Sequence, residues 1–516
     1  MDIKLLRYFF IFLLGCYLLT MGGHSYSIDD ELYISATKSF VHFSTTLDLT
    51  DPSMASRLAT LSEQNGRGEH GVPLGVLTLY APFALAASFI SNFFSDETSK
   101  EVYRLIFFSA NGVYSALAST FLLSISLFFG LNKWRAISLS LIYGLCTYQW
   151  QYSANGFPQT LSALTTLIAF YFWCKHDEEL SSKANLIFSG LAFGLTVAVR
   201  LTNILYMPIF LLAILCRTKN TLQSRIESLV TFCFSSAAFI SLSFGFNWLR
   251  FGDPFATGYG KLNFNTPIYE GIFGLLFSTG KGLVFYAPIS VVAILGLRKV
   301  LQTAPYRNSV VIGLILIQVA VYGKFEMWSG ENAYGPRYLI PVLPLVCILV
   351  IPLARIGKQW LVGMWLAAIT GFLFSGLMGK LMYFNAVYWN QQPGLLQDMD
   401  ATSLTAKQQY LAWNFQPRSS PLVLQLRAIP DLISNTFSRL GGGLGKLDQI
   451  PISYDDRIHW YARTINLDFW WAWWPAKSSN QFVYLFLAVP IALIIFGGLQ
   501  LMKELRVSES SNENEI

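Results

Sequence analysis

Arg337-Tyr338-Leu339-Ile340-Pro341-Val342-Leu343-Pro344-Leu345-Val346-Cys347-Ile348-Leu349-Val350-Ile351-Pro352-Leu353-Ala354-Arg355 decides the fold class: seventeen uncharged, mostly apolar residues lie between two arginines. That is close to the ~18 residues that read as a membrane span. Similar runs recur along the chain, and a single large soluble core does not call for runs of this length. Composition agrees. Hydrophobic residues make up 53% and charged residues 13%, the latter about half the roughly 25% of a soluble domain. Trp134, Trp150, Trp173, Trp248, Trp328 and Trp360 lie at the edges of apolar runs, where an amphipathic ring settles at headgroup level. The net charge of +6 is spread over loops. No basic, aromatic-studded face forms, so nucleic acid is not an expected partner. Cys16, Cys146, Cys174, Cys216, Cys233 and Cys347 lie in or beside apolar runs, with no disulfide or metal spacing.

The expected fold is an all-α polytopic membrane protein of about twelve transmembrane helices, at 7–23, 104–130, 136–152, 159–174, 184–200, 203–216, 228–248, 282–298, 309–323, 338–354, 360–382 and 481–502. The first apolar run follows Lys4 and Arg7 and continues past Cys16 without a small-residue cleavage motif, so it reads as an uncleaved helix. The stretch Val72–Phe94 is long enough to cross. If it lies flat, sixteen Lys/Arg fall in inside segments against six in short outside loops; if it crosses, the bias reverses. The positive-inside rule therefore favours an amphipathic helix at 72–95 along the outer surface, with both chain termini cytoplasmic. The transmembrane module is 1–382, with its first outside loop at 24–103. An outside segment follows at 383–480, then the last span at 481–502, and a polar tail at 503–516 that reads as disordered. Within the outside segment, Phe469-Trp470-Trp471-Ala472-Trp473-Trp474 is expected to anchor the last helix at the interface. Gly441-Gly442-Gly443-Leu444-Gly445 reads as a flexible turn.

Two stretches in the first outside loop concentrate polar chemistry. Ser27-Ile28-Asp29-Asp30-Glu31-Leu32-Tyr33 places three acids directly after the first helix. They read either as a helix N-terminus that welcomes negative charge or as a site with Tyr33 one turn beyond Asp29. Gly66-Arg67-Gly68-Glu69-His70-Gly71-Val72-Pro73 is a glycine-rich turn into the surface helix; it is either only a turn or a device that returns Glu69 and His70 over the acids. Arg337, Arg200 and Lys281 sit at outer ends of spans in this topology, and ionisable groups near membrane depth are candidates for function. Snorkelling or a salt bridge to an acid of the first outside loop is the alternative for each arginine, and an interface lysine that for Lys281. Arg104, opening the second span, reads as an interface anchor.

The two loop stretches together resemble class C glycosyltransferases that use polyprenyl-phosphate sugars, in particular the protein O-mannosyltransferases and lipid A aminoarabinose transferases. Those families carry Asp-Glu-x-x-Tyr after the first helix. Asp29-Asp30-Glu31-Leu32-Tyr33 is similar, with Asp30 at the usual Glu position. Glu69-His70-Gly71-Val72-Pro73-Leu74 resembles their acid or histidine before Pro-Pro-Leu, displaced by one residue and without the first proline. Trp328–Pro341 contains a Gly335-Pro336-Arg337-Tyr338 similar to that of many bacterial membrane glycosyltransferases. The resemblance implies an inverting glycosyltransferase of the bacterial inner membrane with a periplasmic active site. Its donor would be a polyprenyl-phosphate-linked sugar, and its acceptor an extracytoplasmic lipid, glycan or protein. By that resemblance Asp29, with Asp30 as alternate, acts as general base. Glu69 or His70 orients a substrate, and Tyr33 positions the acid or contacts the phosphate. Arg337 holds the phosphate with Arg200 in support, and Lys281 is a weaker phosphate candidate. No cofactor is assigned; a divalent cation on Asp29 and Asp30 is left open. A transporter or flippase would instead show mid-span ionisable groups and pseudo-symmetry. A glycan polymerase or ligase would use outer arginines without the acid pair. A non-catalytic assembly partner also stays open.

Overall fold

The computed structural model describes residues 2–47, 70–178, 182–217, 221–256, 262–330, 333–377, 379–380, 414–417, 420–423, 425–426, 469–471, 474 and 483–513. The elements are helical: α1 (Ile3–Leu19), α2 (Ile28–Val41), α3 (Leu74–Ser91), α4 (Asp96–Phe128), α5 (Lys133–Leu145), α6 (Gln149–Tyr152), α7 (Gln159–Glu178) and α8 (Lys183–Val199). A 3-10 turn at Leu201–Tyr206 leads into α9 (Met207–Leu215), followed by α10 (Leu222–Phe251), α11 (Ile268–Phe277), α12 (Leu283–Tyr286), α13 (Ile289–Leu295), α14 (Leu297–Thr303) and α15 (Pro305–Lys324). A second 3-10 turn, Arg337–Val342, opens α16 (Leu343–Ile356), then α17 (Lys358–Thr370) with a π turn at Gly371–Leu377, and α18 (Val483–Glu513). Side chains of Asp2, Ser27, Asn132, Ser182 and Thr221 cap α1, α2, α5, α8 and α10, each satisfying a backbone N–H that the first turn leaves open. Gly252, at φ 71°, ends α10 in the left-handed conformation.

Burial sorts the helices into inner and outer members. The Arg337–Arg355 stretch is 94% buried over its apolar window, against 22% for Leu222–Phe251 and 17% for Tyr484–Arg506. The first is therefore the central column, and the other two keep apolar side chains facing outward, as a lipid-facing helix must. Helix α7 is buried nearly all round despite its Gln, Thr and Ser residues. Glycines set the closest approaches. A Cβ on Gly190 or Gly194 would meet α10 backbone at Phe232 or Ser236, and one on Gly15 or Gly497 would strike the α1–α18 partner. Small residues at such crossings let backbones pack where no hydrophobic force separates helix from lipid.

Seven helices among the described residues are long and apolar enough to cross a membrane: Leu74–Ser91, Thr98–Phe128, Leu222–Phe251, Pro305–Lys324, Arg337–Arg355, Lys358–Leu377 and Tyr484–Arg506. The chain is an integral membrane protein of helical architecture, but several expected spans differ. The 282–298 stretch is broken into α12, α13 and α14: Pro288 has no N–H to donate, and the second break falls at Gly296, which lies directly against the Leu353 side chain. The 136–152 stretch breaks after Leu145, and 203–216 begins as a 3-10 turn. Leu74–Ser91, expected along the surface, has the length and composition to cross; it packs against α4, with the Tyr114 hydroxyl donating to the Leu79 carbonyl. The polar stretch after Lys503 continues α18 as helix to Glu513 rather than leaving it at 502. Most of 383–480 lies outside the described residues. Within its tryptophan cluster, Trp470 and Trp471 donate their indole N–H groups to the Leu18 and Leu19 carbonyls, and Trp474 stacks on Phe486. The cluster thus closes the end of α1, whose last carbonyls would otherwise lack partners, and ties it to α18. All six cysteines are unpaired.

Candidate active site

The three consecutive acids are sent to three different environments. Ser27 caps α2, so residues 29–31 occupy its first turn, and a helical turn points neighbours in different directions. Asp30 is fully buried. Its Oδ2 accepts from the Tyr26 and Ser27 amides at 2.7 and 3.0 Å, and its Oδ1 accepts from the Gly156 amide at 2.8 Å. Glu31 pairs with Arg104 at 3.1 Å and accepts from the Ser25 hydroxyl. Arg104 is therefore a counterion and not an interface anchor. Asp29 alone faces a cavity, with its side chain 40% exposed and Arg337 Nη1 3.7 Å from its Oδ2.

That cavity has a volume of about 350 Å³. It lies where the start of α7, the end of α8, the end of α10, the end of α15 and the turn before α16 converge on α2. Arg200, Arg250 and Arg337 line it together with Asp29 and Tyr33, and Pro73, Phe157, Leu262, Phe264 and Phe325 supply apolar wall. Three arginines and one carboxylate thus share the lining, with Arg337 the arginine paired to Asp29. Arg337 donates to the Tyr338 hydroxyl at 3.0 Å, and its buried Nε has no hydrogen-bond partner among the described residues. Arg200 lies 5.0 and 5.1 Å from the ring centroids of Tyr322 and Tyr338, which stack on each other at 4.5 Å. Among the described residues Arg200 forms no ion pair. Cation–π contact orients a guanidinium without neutralising it, so the arrangement is poised for an anion.

Arg250 is the functional candidate that sequence reasoning missed. In the sequence it is only one more outer-loop cation, although it closes α10 as Arg200 closes α8. It is 2% exposed, and its Nη1 donates to the His70 and Val72 carbonyls at 2.6 and 3.1 Å. Its Nη2 reaches Asn247 Oδ1, one turn earlier, at 3.0 Å. Arg250 thereby fixes the turn that delivers Pro73 and Leu74 to the cavity wall. Gly75 sits so close to Ala198 and Val199 that a Cβ would strike their backbone, which seats α3 beside Arg200.

His70 belongs to this brace and not to the cavity lining. Its Nδ1 accepts from the Val72 amide at 3.3 Å and lies 3.2 Å from Arg250 Nη1. Burial, with the Arg250 charge beside it, holds the imidazole down at about 3. An unfolded histidine protonates near 6.5. Between those values only the unfolded chain takes up the proton, so the stability that neutral His70 contributes is present above 6.5 and lost as pH falls toward 3. Relative to wild type, His70→Gln is expected to lose less thermal stability between pH 7 and pH 4. Equal losses in both proteins would show that other groups set the acid sensitivity.

Of the remaining candidates, Glu69 lies outside the described residues. Lys281 is buried away from the cavity lining, its ammonium donating to the Ala333 carbonyl. Among the described residues no three His, Cys, Asp or Glu side chains converge as metal ligands. The structure therefore brings together Asp29, Tyr33, Arg200 and Arg337, adds Arg250, and holds Asp30, His70 and Lys281 behind the cavity wall or away from it. Comparison with protein-family models and with curated proteins finds no match. Among solved structures the chain is similar to the archaeal oligosaccharyltransferase AglB from Archaeoglobus fulgidus, in complex with an inhibitory peptide and a dolichol-phosphate, at 15% identity and a TM-score of 0.33. The match covers 100% of this chain and 52% of that one, so the chain spans about half the length of the structure it matches. A superposition of that quality establishes no shared fold.

Proposed function

We propose that this chain is an inverting glycosyltransferase that moves a sugar from a polyprenyl-phosphate carrier to an acceptor outside the cytoplasm, in a bacterial inner membrane. One observation carries the reading: a partly exposed carboxylate and three arginines share a cavity with apolar walls, at one end of a membrane bundle. Asp29 takes the proton of an acceptor hydroxyl as that oxygen bonds to the anomeric carbon from the face opposite the phosphate. The bond from the anomeric carbon to the phosphate oxygen breaks, and its electron pair leaves on the phosphate. Arg337 and Arg200 stabilise the charge that develops there. Leu262, Phe264 and Phe325 accept the first isoprene units.

The test is sugar transfer in membranes, with radiolabelled polyprenyl-phosphate sugars run beside nucleotide sugars. Label is expected to move from a lipid-linked donor, and the product linkage to have the opposite anomeric configuration. Transfer from nucleotide sugars alone, or retention of configuration, sinks the proposal. Gly330 offers a finer check. It adopts φ 71°, and a Cβ there would stand 2.8 Å from Arg337 Cγ and 2.9 Å from its Nε. Gly330→Ala is expected to displace Arg337 and lower transfer about tenfold or more, as losing one transition-state contact does, with most of the protein still in the membrane. Undiminished transfer would remove Arg337 from the phosphate site.

A further inference from the structure

Helices α7, α15 and the Arg337–Arg355 stretch each have one end at the cavity. From Tyr322 back to Arg307, and from Arg337 to Arg355, the chain covers roughly 23–27 Å at 1.5 Å per residue, close to the ~30 Å hydrocarbon thickness. Their far ends meet a second group of cations. Arg135 Nη1 donates to the Ala354 carbonyl at 2.9 Å, and Arg355 Nη1 donates to the Phe129 carbonyl at 3.2 Å. The Arg307 guanidinium stands 3.7 Å from the centroid of the Phe129 ring, and its buried Nε has no hydrogen-bond partner among the described residues. Gly130, at φ 76°, lies directly beside Arg355: a Cβ there would stand in ordinary contact, 3.7 Å from the guanidinium carbon.

Charge pairing separates these three from their neighbours. Around the same end Lys133 pairs with Asp2 at 2.8 Å, Arg217 with Asp177 at 2.9 Å and Lys183 with Glu227 at 3.4 Å. Among the described residues Arg135, Arg307 and Arg355 form no ion pair. Cys174 and Glu178 lie near enough to act on Arg307 electrostatically, and Arg355 acts on it with the opposite sign. Unused N–H donors on three guanidiniums around one helix end match the oxygens of a phosphate. Apolar surface adjoins them. Trp134 is 51% exposed, and α14, tied to the start of α15 by Asn308 donating to the Val300 carbonyl at 2.6 Å, exposes Leu297 and Leu301.

We propose that Arg135, Arg307 and Arg355 form a binding site for the phosphate of an anionic phospholipid headgroup, at the membrane face opposite the cavity, with its acyl chains along Leu297 and Leu301. The purified full chain in neutral detergent is titrated with phosphatidylglycerol, with phosphatidylcholine of the same acyl chains, and with millimolar inorganic phosphate. Bound lipid is counted by native mass spectrometry, and the thermal midpoint is followed in parallel. Phosphatidylglycerol is expected to bind and to raise the midpoint, while the other two leave it unchanged. Arg307→Gln should weaken the apparent affinity about fivefold, and Arg307→Gln with Arg355→Gln about 25-fold, from roughly 1 kcal/mol per cation at a membrane surface. Lys299→Gln, on α14, should match wild type. Arg307→Gln removes no hydrogen bond made within the described residues, so it decides the question even if the double variant fails to accumulate. Unchanged affinity in Arg307→Gln, an equal response to phosphatidylcholine, or an equal response to inorganic phosphate each overturns the lipid site, the last in favour of a free-anion site.

Discussion

Asp29→Asn is expected to reduce sugar transfer by about 10²–10⁴-fold, the range for loss of a positioned general base, or roughly 3–5 kcal/mol of barrier. The protein should remain at wild-type level in the membrane. Asparagine keeps the shape of the side chain and its reach toward Arg337, and removes only the basicity. Nothing in the fold leans on the charge: the side chain is 40% exposed, its contact with Arg337 is 3.7 Å long, and Ser27 caps α2 independently. The loss should therefore fall on kcat, with KM for the lipid donor changed little, since the arginines that hold the phosphate stay in place. Transfer above half the wild-type rate would place the base elsewhere. Full transfer in Asp29→Asn together with none in Arg337→Gln would favour a polymerase or ligase that relies on its arginines alone.

The membrane class was legible because a soluble core does not need apolar runs of such length, and the 338–354 run does stand in the structure as one apolar column, although it opens as a 3-10 turn. Breaks inside runs were not legible in the same way. Pro288 and Gly296 interrupt an apolar stretch, and the side chain packed against the second of them, Leu353, lies far away in sequence. Asp29, Tyr33, Arg200 and Arg337 could be singled out because each stands at the end of an apolar run or on the short helix that follows one. Arg250 stands in the same kind of position. It is hidden because its partners are backbone carbonyls of the 70–72 turn, about 180 residues earlier, and carbonyls leave no trace in a sequence. Composition also could not sort the acids. Asp29, Asp30 and Glu31 are adjacent and chemically alike. Their separate fates depend on the Gly156 amide, Arg104 and Arg337, three groups that only the folded chain assembles.

Asp30 is expected to give the opposite phenotype to its neighbour. Asp30→Ala removes the acceptor for the Tyr26 and Gly156 amides, which are buried, and for the partly buried Ser27 amide. Each stranded buried donor costs about 1–3 kcal/mol, a large part of the ~5–15 kcal/mol that holds a typical fold together. We expect little Asp30→Ala protein in the membrane, and a normal rate per molecule in whatever survives. Asp30→Asn is milder and more informative. It restores one oxygen but turns an amino group toward a backbone N–H. Burial pushes the Asp30 carboxyl up to about 7 against the pull of those amide donors, while an unfolded aspartate titrates near 3.9. Between these values the folded chain holds the proton and the unfolded chain does not, so the stability contributed by Asp30 is present at low pH and lost as pH rises toward 7. The difference in thermal midpoint between wild type and Asp30→Asn should accordingly be wider at pH 5 than at pH 8, a trend opposite in sign to that of His70 over nearly the same window. An Asp30→Asn protein that accumulates normally, melts like wild type at both pH values and yet transfers no sugar would make Asp30 the reacting acid and Asp29 its partner.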